Sequence, residues 1–179
     1  MKYLNEFVAI LTLAAACTLA QAQPTSQLSP KAEQNISHHV MHQLRMLPYV
    51  TVFDNIGYRV AGDTVTLVGQ VTRPVLRTDA EQAVKEVEGV TQVNDQIEVL
   101  PNSIVDDHLR FALARAIYGY GPLERYAIDP QAPIRIIVKN GHATLVGVVA
   151  NKMDEHLAVI RANGVPGVFS VTDNLRLQG

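Results

Sequence analysis

Val65-Thr66-Leu67-Val68-Gly69-Gln70-Val71 returns 78 positions later as Ala143-Thr144-Leu145-Val146-Gly147-Val148-Val149. The same offset carries Val87, Gly89, Val90, Val93 and Asp95 onto Val165, Gly167, Val168, Val171 and Asp173. A constant offset over roughly 40 residues leaves no room for an insertion, so each copy is one compact module. The period is longer than the roughly 20–50 residues of a solenoid repeat, and two small tandem domains fit instead.

Working outward from the quoted stretch, Val65, Leu67 and Val71 alternate as a half-buried strand does. Ile56, Tyr58 and Val60 alternate before it, with Gly62-Asp63 between as a hairpin turn. Ile36, Val40, Leu44 and Leu47 form a helical stripe ahead of Pro48. Pro74 stands near the start of a second helix whose Ala80, Ala83, Val84 and Val87 make the buried stripe. Gly89 stops it, and Val93, Ile97 and Val99 form a third strand. The module reads helix, strand, strand, helix, strand.

The second copy follows Pro101-Asn102-Ser103. Its first helix carries Leu109, Ala112, Leu113, Ala116 and Ile117. Its strands carry Ile134, Ile136 and Val138, then Ala143, Leu145 and Val149, joined at Asn140-Gly141. Met153, Leu157 and Ile160 are expected to carry the second helix, and Val171, Leu175 and Leu177 the last strand. Tyr118 to Pro133 contains an insertion rich in Gly, Pro and Tyr. The expected fold class is α+β, with the helices of each module packed on one face of a small mixed sheet. Modules of about 65–75 residues stand near the lower limit for folding without staples, so contact between them or with a partner is expected to add stability.

Residues 1–22 are expected to be a cleavable signal peptide. Lys2 precedes an apolar run from Phe7 to Ala20 that is short for a membrane span, and Ala20-Gln21-Ala22 offers small residues for cleavage before Gln23. The alternatives are an uncleaved N-terminal anchor and lipidation at Cys17, through a loose lipoprotein box at Ala14-Ala15-Ala16-Cys17. Residues 23–33 read as a flexible leader, 34–100 as the first domain and 103–179 as the second. Cys17 is the chain's single cysteine, so a chain cleaved after Ala22 forms no disulfide, which an oxidising compartment tolerates. Without Lys2 and Glu6, 14 basic and 16 acidic side chains remain. That balance argues against nucleic acid as a partner.

With that order of elements established, the residues resemble a BON domain, twice, a family typified by the osmotically inducible periplasmic protein Y. The carrying signature is Val65 to Val71, then an Ala-rich helix, then Gly89-Val90 and Val93-Asn94-Asp95. Ala143 to Val149, Gly167-Val168 and Val171 to Leu177 match it in the second copy. Pro166 and Thr172 depart from the pattern. The resemblance implies a non-enzymatic protein of the bacterial envelope, placed in the periplasm. It also implies association with phospholipid, envelope integrity and osmotic stress, with no cofactor and no small-molecule substrate.

Several residues invite functional readings. Gly69 and Gly147 are each solitary within a strand, where a bulge or the close packing of a covering helix fits better than a phosphate loop. Asp95 and Asp173 share parity with residues expected to be buried, and a strand-entry turn in which Asp accepts backbone N–H groups accounts for both. His38 and His42 share an outward helical face but lack further metal ligands, so no metal site is expected. Ser37 beside His38 and His39 makes no triad, because adjacent helix positions diverge.

The face with most promise is in the second copy. Helical spacing turns Phe111 and Tyr118 outward with Arg115 beside them, and the following loop adds Tyr120, Leu123, Arg125 and Tyr126. Aromatic rings flanked by arginines suit a phospholipid headgroup boundary. Phe111, Arg115, Tyr118, Tyr120, Arg125 and Tyr126 are therefore the candidate lipid-binding residues, for peripheral contact with an anionic membrane. Two alternatives stand beside this: the longer loop folds back over the face, or the first module packs there. Envelope proteins are the alternative partner class, served equally well by an apolar face.

Overall fold

A computed structural model describes residues 29–128 and 133–179. The readings on residues 1–22, including Cys17, lie outside the described residues, as does most of the segment after them.

The first module runs α1 (Pro30–Arg45), β1 (Asn55–Ala61), β2 (Thr64–Val71), α2 (Pro74–Lys85) and β3 (Gln92–Val99). The second runs α3 (Ile104–Tyr118), a 3-10 turn (Gly121–Leu123), α4 (Arg125–Ile128), β4 (Ile134–Lys139), β5 (His142–Val149), α5 (Lys152–Asn163) and β6 (Ser170–Leu177). The sheets are ordered β1-β2-β3 and β4-β5-β6, antiparallel in the first pairing and parallel in the second. The α+β class and both hairpin turns stand as expected.

Local chemistry explains the helix starts. Ser29 Oγ accepts from Ala32 N–H, Ser103 Oγ from Asp106 N–H, and Asn151 Oδ1 from Asp154 N–H. Each satisfies one of the orphan donors of a first turn. α2 lacks a side-chain cap, and Pro74 opens it in a position that needs no donor.

Each module has its own core. Val65, Leu67 and Val71 are fully buried with Leu76, Ala80 and Val84 of α2, while Ile36 and Val40 come from α1. Leu145 and Val149 join Leu109, Leu113 and Ile117 of α3 and Ala158 and Ala162 of α5. Burying one such Leu contributes about 1.5–3 kcal/mol.

The α5 stripe differs from expectation. Met153 and Ile160 face solvent at 66% and 64% exposure, and the sheet-facing positions are Asp154, Glu155, Ala158 and Ala162. Small alanines let α5 lie close on the sheet, which leaves the larger apolar residues on its far side.

The repeated glycines have a shared cause. Gly69 and Gly147 sit at φ +125° and +142°, where a Cβ would lie 2.0 Å from Asn55 O and 1.8 Å from Pro133 O. What approaches is the backbone entering the neighbouring strand, rather than a covering helix. Gly89 and Gly167, also at positive φ, instead lie against Ile36 of α1 and Leu109 of α3.

The aspartates depart partly from expectation. Asp95 and Asp173 lie inside β3 and β6, not at their entries, and each accepts from an amide two residues on, Ile97 N–H and Leu175 N–H, both at 2.9 Å. Asp95 is half-buried and paired with Arg77, whose pKa its carboxylate raises; Asp173 is exposed. Both strands are sheet edges.

The modules touch along β4. Ile136 N–H donates to Val52 C=O at 2.8 Å, and Arg135 Nη1 donates to Thr51 C=O at 2.8 Å. Lys139 pairs with Glu98 across the same junction, and Phe53 meets Phe111 edge to face at 5.4 Å between centroids.

Candidate functional site

α3 and α5 lie side by side on one face of the second sheet, so their outward stripes share one surface. On α3, Ile104, His108, Phe111 and Arg115 fall at helical spacing and are all exposed, Ile104 at 75% and Phe111 at 61%. On α5 Met153, His156 and Ile160 are exposed, together with Lys152, Arg161 and Asn163. Between the helices lies a shallow cleft of about 320 Å³ lined by Ala112, Arg115, Ala116 and Gly164 to Pro166. The face therefore mixes large apolar side chains with Arg115 and two histidines. Asp107, the half-exposed acid near it, is paired with Arg110.

The six residues singled out from the sequence do not share this surface. Phe111 and Arg115 lie on it, and Phe111 also carries the Phe53 contact from the first module. Tyr118 is half-buried and donates to Ile134 C=O. Burial pushes its phenol up to about 12, because a phenolate there would lose its water, and the positive charge of Arg135 offsets this only in part. Tyr120 is half-buried with the Arg161 guanidinium 5.0 Å above its ring, and Arg161 Nε donates to Ala116 C=O.

Arg125 and Tyr126 belong to a polar cluster at the start of α5. Tyr126 is 7% exposed; its hydroxyl accepts from Ala150 N–H at 2.9 Å and donates to Asp154. Arg125 is exposed but paired with Asp154, and the Tyr126 hydroxyl and that carboxylate together raise its pKa. Leu123 is fully buried. The loop thus folds back into its own core, removing Tyr126 and Leu123 from any outer surface. Its tyrosines and leucine, read as loop residues, fill a core that helix and strand residues alone leave open at one end.

The first module satisfies the amide matching Ala150 by different means. Thr72 N–H donates to Asp54 Oδ1 at 2.7 Å, and Asp54 Oδ2 accepts from Thr51 N–H and its hydroxyl. Asp54 is 1% exposed and fully engaged by neighbours. The other buried acid of this kind is Asp106, whose two oxygens accept from Asn140 and Gly141 N–H and hold the β4–β5 turn. Beside it the buried Arg110 donates to Val138 C=O at 2.7 Å. These buried polar groups hold turns and strand ends, and of the two acids only Asp54 also borders a groove, the one between α1 and β1.

His38 and His42 are exposed, and among the described residues no group of three or more His, Cys, Asp or Glu is placed to hold a metal ion. Lys152 holds the Glu155 carboxyl below the usual carboxylate range. No helix among the described residues is long and apolar enough to cross a membrane.

The order of elements in each module and the paired glycine sites meet a family profile: the BON domain matches residues 33–101 and 123–179. The chain belongs to the BON-domain family. BON domains as a family are non-catalytic and associated with phospholipid binding and the envelope. The second match begins within the inserted segment, so α3, which carries Phe111 and Arg115, precedes it.

No curated protein sequence matches the chain. Among solved structures it is similar to CdsD, a structural protein of the type III secretion system of Chlamydia trachomatis. The identity is 13% over 80% of this chain and 92% of that one, with a TM-score of 0.29. The C-terminal domain of CdsD gives 14% identity over 79% of this chain and 96% of that one, with a TM-score of 0.28. Overlap at that level places no constraint on function.

Proposed function

We propose that this tandem BON protein is a non-enzymatic envelope protein, exported to the periplasm, that binds anionic phospholipid at the membrane surface. There it supports envelope integrity or tolerance of osmotic stress. The observation that carries the reading is the outer helical face of the second module. Ile104, Phe111 and Arg115 of α3 stand exposed there, and Met153 and Ile160 are exposed on α5. Apolar side chains enter the boundary of headgroup and acyl chain while a guanidinium meets phosphate. The matching face of α1 carries His38, Met41, His42 and Arg45 and is much less apolar, which favours the second module.

Co-sedimentation of residues 23–179 with anionic and with neutral vesicles, at low and moderate salt, tests this. Binding is expected for anionic vesicles only and is expected to weaken with salt. A basic residue near an anionic surface contributes about 1 kcal/mol, so Arg115→Glu costs roughly 2 kcal/mol, or about 30-fold in partitioning. A folded Phe111→Ser/Arg115→Glu protein that still binds as the parent does would remove the face from consideration.

A further inference from the structure

The two modules treat the outer edge of their first strand differently. β1 and β4 hold the same place, each the outer antiparallel strand of its sheet. In such a pair, residues alternate between those whose backbone groups face the partner strand and those whose N–H and C=O point away. In β4, Ile134 and Ile136 belong to the outward set. Ile136 N–H donates to Val52 C=O, and Ile134 C=O accepts from the Tyr118 hydroxyl. Their counterparts in β1 are Ile56 and Tyr58, which stand opposite Gly69 and Leu67 as Ile134 and Ile136 stand opposite Gly147 and Leu145. Ile56 C=O and Tyr58 N–H therefore face the outer edge of β1, which no other strand among the described residues pairs.

Burial repeats the contrast. Ile134, Ile136 and Val138 are 0% exposed, whereas Ile56, Tyr58 and Val60 are only half-buried. In the second module Leu123 and Tyr126 from the insertion, Tyr118 and the Val52 segment close over the strand. In the first, Arg45 takes the helical position of Tyr118, counting from Ile36 and Leu109 at their paired glycines. A groove of about 650 Å³ lies there instead, between the C-terminal half of α1 and Ile56 and Tyr58. It continues as a recess of about 490 Å³ past Ser37, Tyr58 and Val60.

The chemistry of the groove narrows its occupant. Met41, Leu44, Leu47 and Ile56 make an apolar floor, and His42 and Arg45 of α1 with Arg135 of the second module make a basic rim. The nearby carboxylates are turned to the protein's own backbone, Asp54 to Thr51 and Thr72, and Glu33 to Gly62 N–H at the far end. The outer strands on the opposite side of each sheet, β3 and β6, have amides occupied by Asp95 and Asp173. Such devices blunt an edge against further pairing, and among the described residues β1 carries none in its outward register.

We propose that the groove binds an extended segment of a partner protein as a fourth strand on β1. Its apolar side chains at alternate positions would lie under α1, and a carboxylate would meet the basic rim at Arg45. The second module supplies a partial precedent, because its equivalent edge receives a backbone carbonyl from outside the sheet, Val52 C=O of the Thr51–Asp54 turn accepting from Ile136 N–H. An acyl chain would fill the floor but leave the row of outward backbone groups unmatched, whereas a strand satisfies them.

The test uses residues 23–179 and an array of acetylated heptapeptides. Positions 1, 3 and 5 vary over Val, Ile, Leu, Phe and Tyr, positions 2, 4 and 6 are Thr, and position 7 is Asp or Glu. Members that bind are then N-methylated one amide at a time and measured by fluorescence anisotropy. Methylation at alternate amides is expected to weaken binding at least tenfold, and at the intervening amides less than twofold. Arg45→Glu is expected to weaken it at least tenfold, and Phe111→Ser to leave it unchanged, which separates this site from the membrane face. Protection of the Tyr58 and Val60 amides from hydrogen exchange by bound peptide is the direct readout. The proposal is overturned if no acidic member binds better than its Pro-containing counterpart, or if methylation shows no alternation. Displacement of a fluorescent fatty acid by Arg45→Glu, with no peptide bound, would assign the groove to acyl chains instead.

Discussion

Asp106→Ala is the perturbation whose cost can be worked most fully from the structure. Asp106 is 1% exposed, and its oxygens accept from Asn140 N–H at 2.9 Å and Gly141 N–H at 2.8 Å. Removing the carboxylate orphans both donors. A buried amide left unsatisfied costs about 1–3 kcal/mol. Gly141 is buried and takes the upper part of that range, while Asn140 is exposed and water replaces its partner at small cost. The expected loss is about 3 kcal/mol, against roughly 4–11 kcal/mol for the whole stability of a module this size. Asp106→Asn keeps one acceptor oxygen and is expected to lose only about 1 kcal/mol. Urea melts followed by circular dichroism give the global figure, and hydrogen exchange over residues 134–149 localises it. The reasoning is refuted if the alanine variant loses less than about 1 kcal/mol, or if asparagine is as damaging as alanine.

Gly69→Ala and Gly147→Ala are each expected to cost more than about 3 kcal/mol, since positive φ and a backbone clash act together; Gly121→Ala, where nothing lies within 4 Å, should be silent in the same melts. Tyr118 is expected to titrate near pH 12 by ultraviolet absorbance. Because its folded pKa lies above the unfolded value, its contribution is intact below about pH 10 and fades as pH rises towards 12. A Tyr118→Phe protein should lose that alkaline slope, and an unchanged slope would reassign it. Arg135→Ala, which removes the donor to Thr51 C=O, is expected to lower the protection of Ile136 N–H without unfolding either core; exchange measured by NMR decides this.

Much of the fold was legible because one repeat fixes both copies. The offset of 78, Gly62-Asp63 and Asn140-Gly141 placed every strand, and alternation named most of the core. Helical periodicity misled in α5, where Met153 and Ile160 obey the spacing of a buried stripe but the sheet is met by alanines. The candidate site was legible only in part. Spacing within α3 set Phe111 and Arg115 outward, but no local pattern tells that Tyr126 turns inward to Ala150 and Asp154, since those partners lie more than twenty residues away. Asp54 and Asp106 escaped notice for a like reason: Asp54 Oδ1 and both Asp106 oxygens serve amides distant in sequence. The Phe53 contact on Phe111 depends on how two domains meet, which the repeat does not encode.

The junction at Val52 and Ile136 also gives the pair a direction. It is a head-to-tail contact, in which a loop before one module's first strand meets the outer strand of the next module, so it closes no symmetric ring between the two. The first module gives such a loop away and receives none among the described residues; the second receives one and spends its own lengthened loop on its own core. Duplication of one unit has therefore produced an ordered series of two members, with a receptive beginning and a sealed finish.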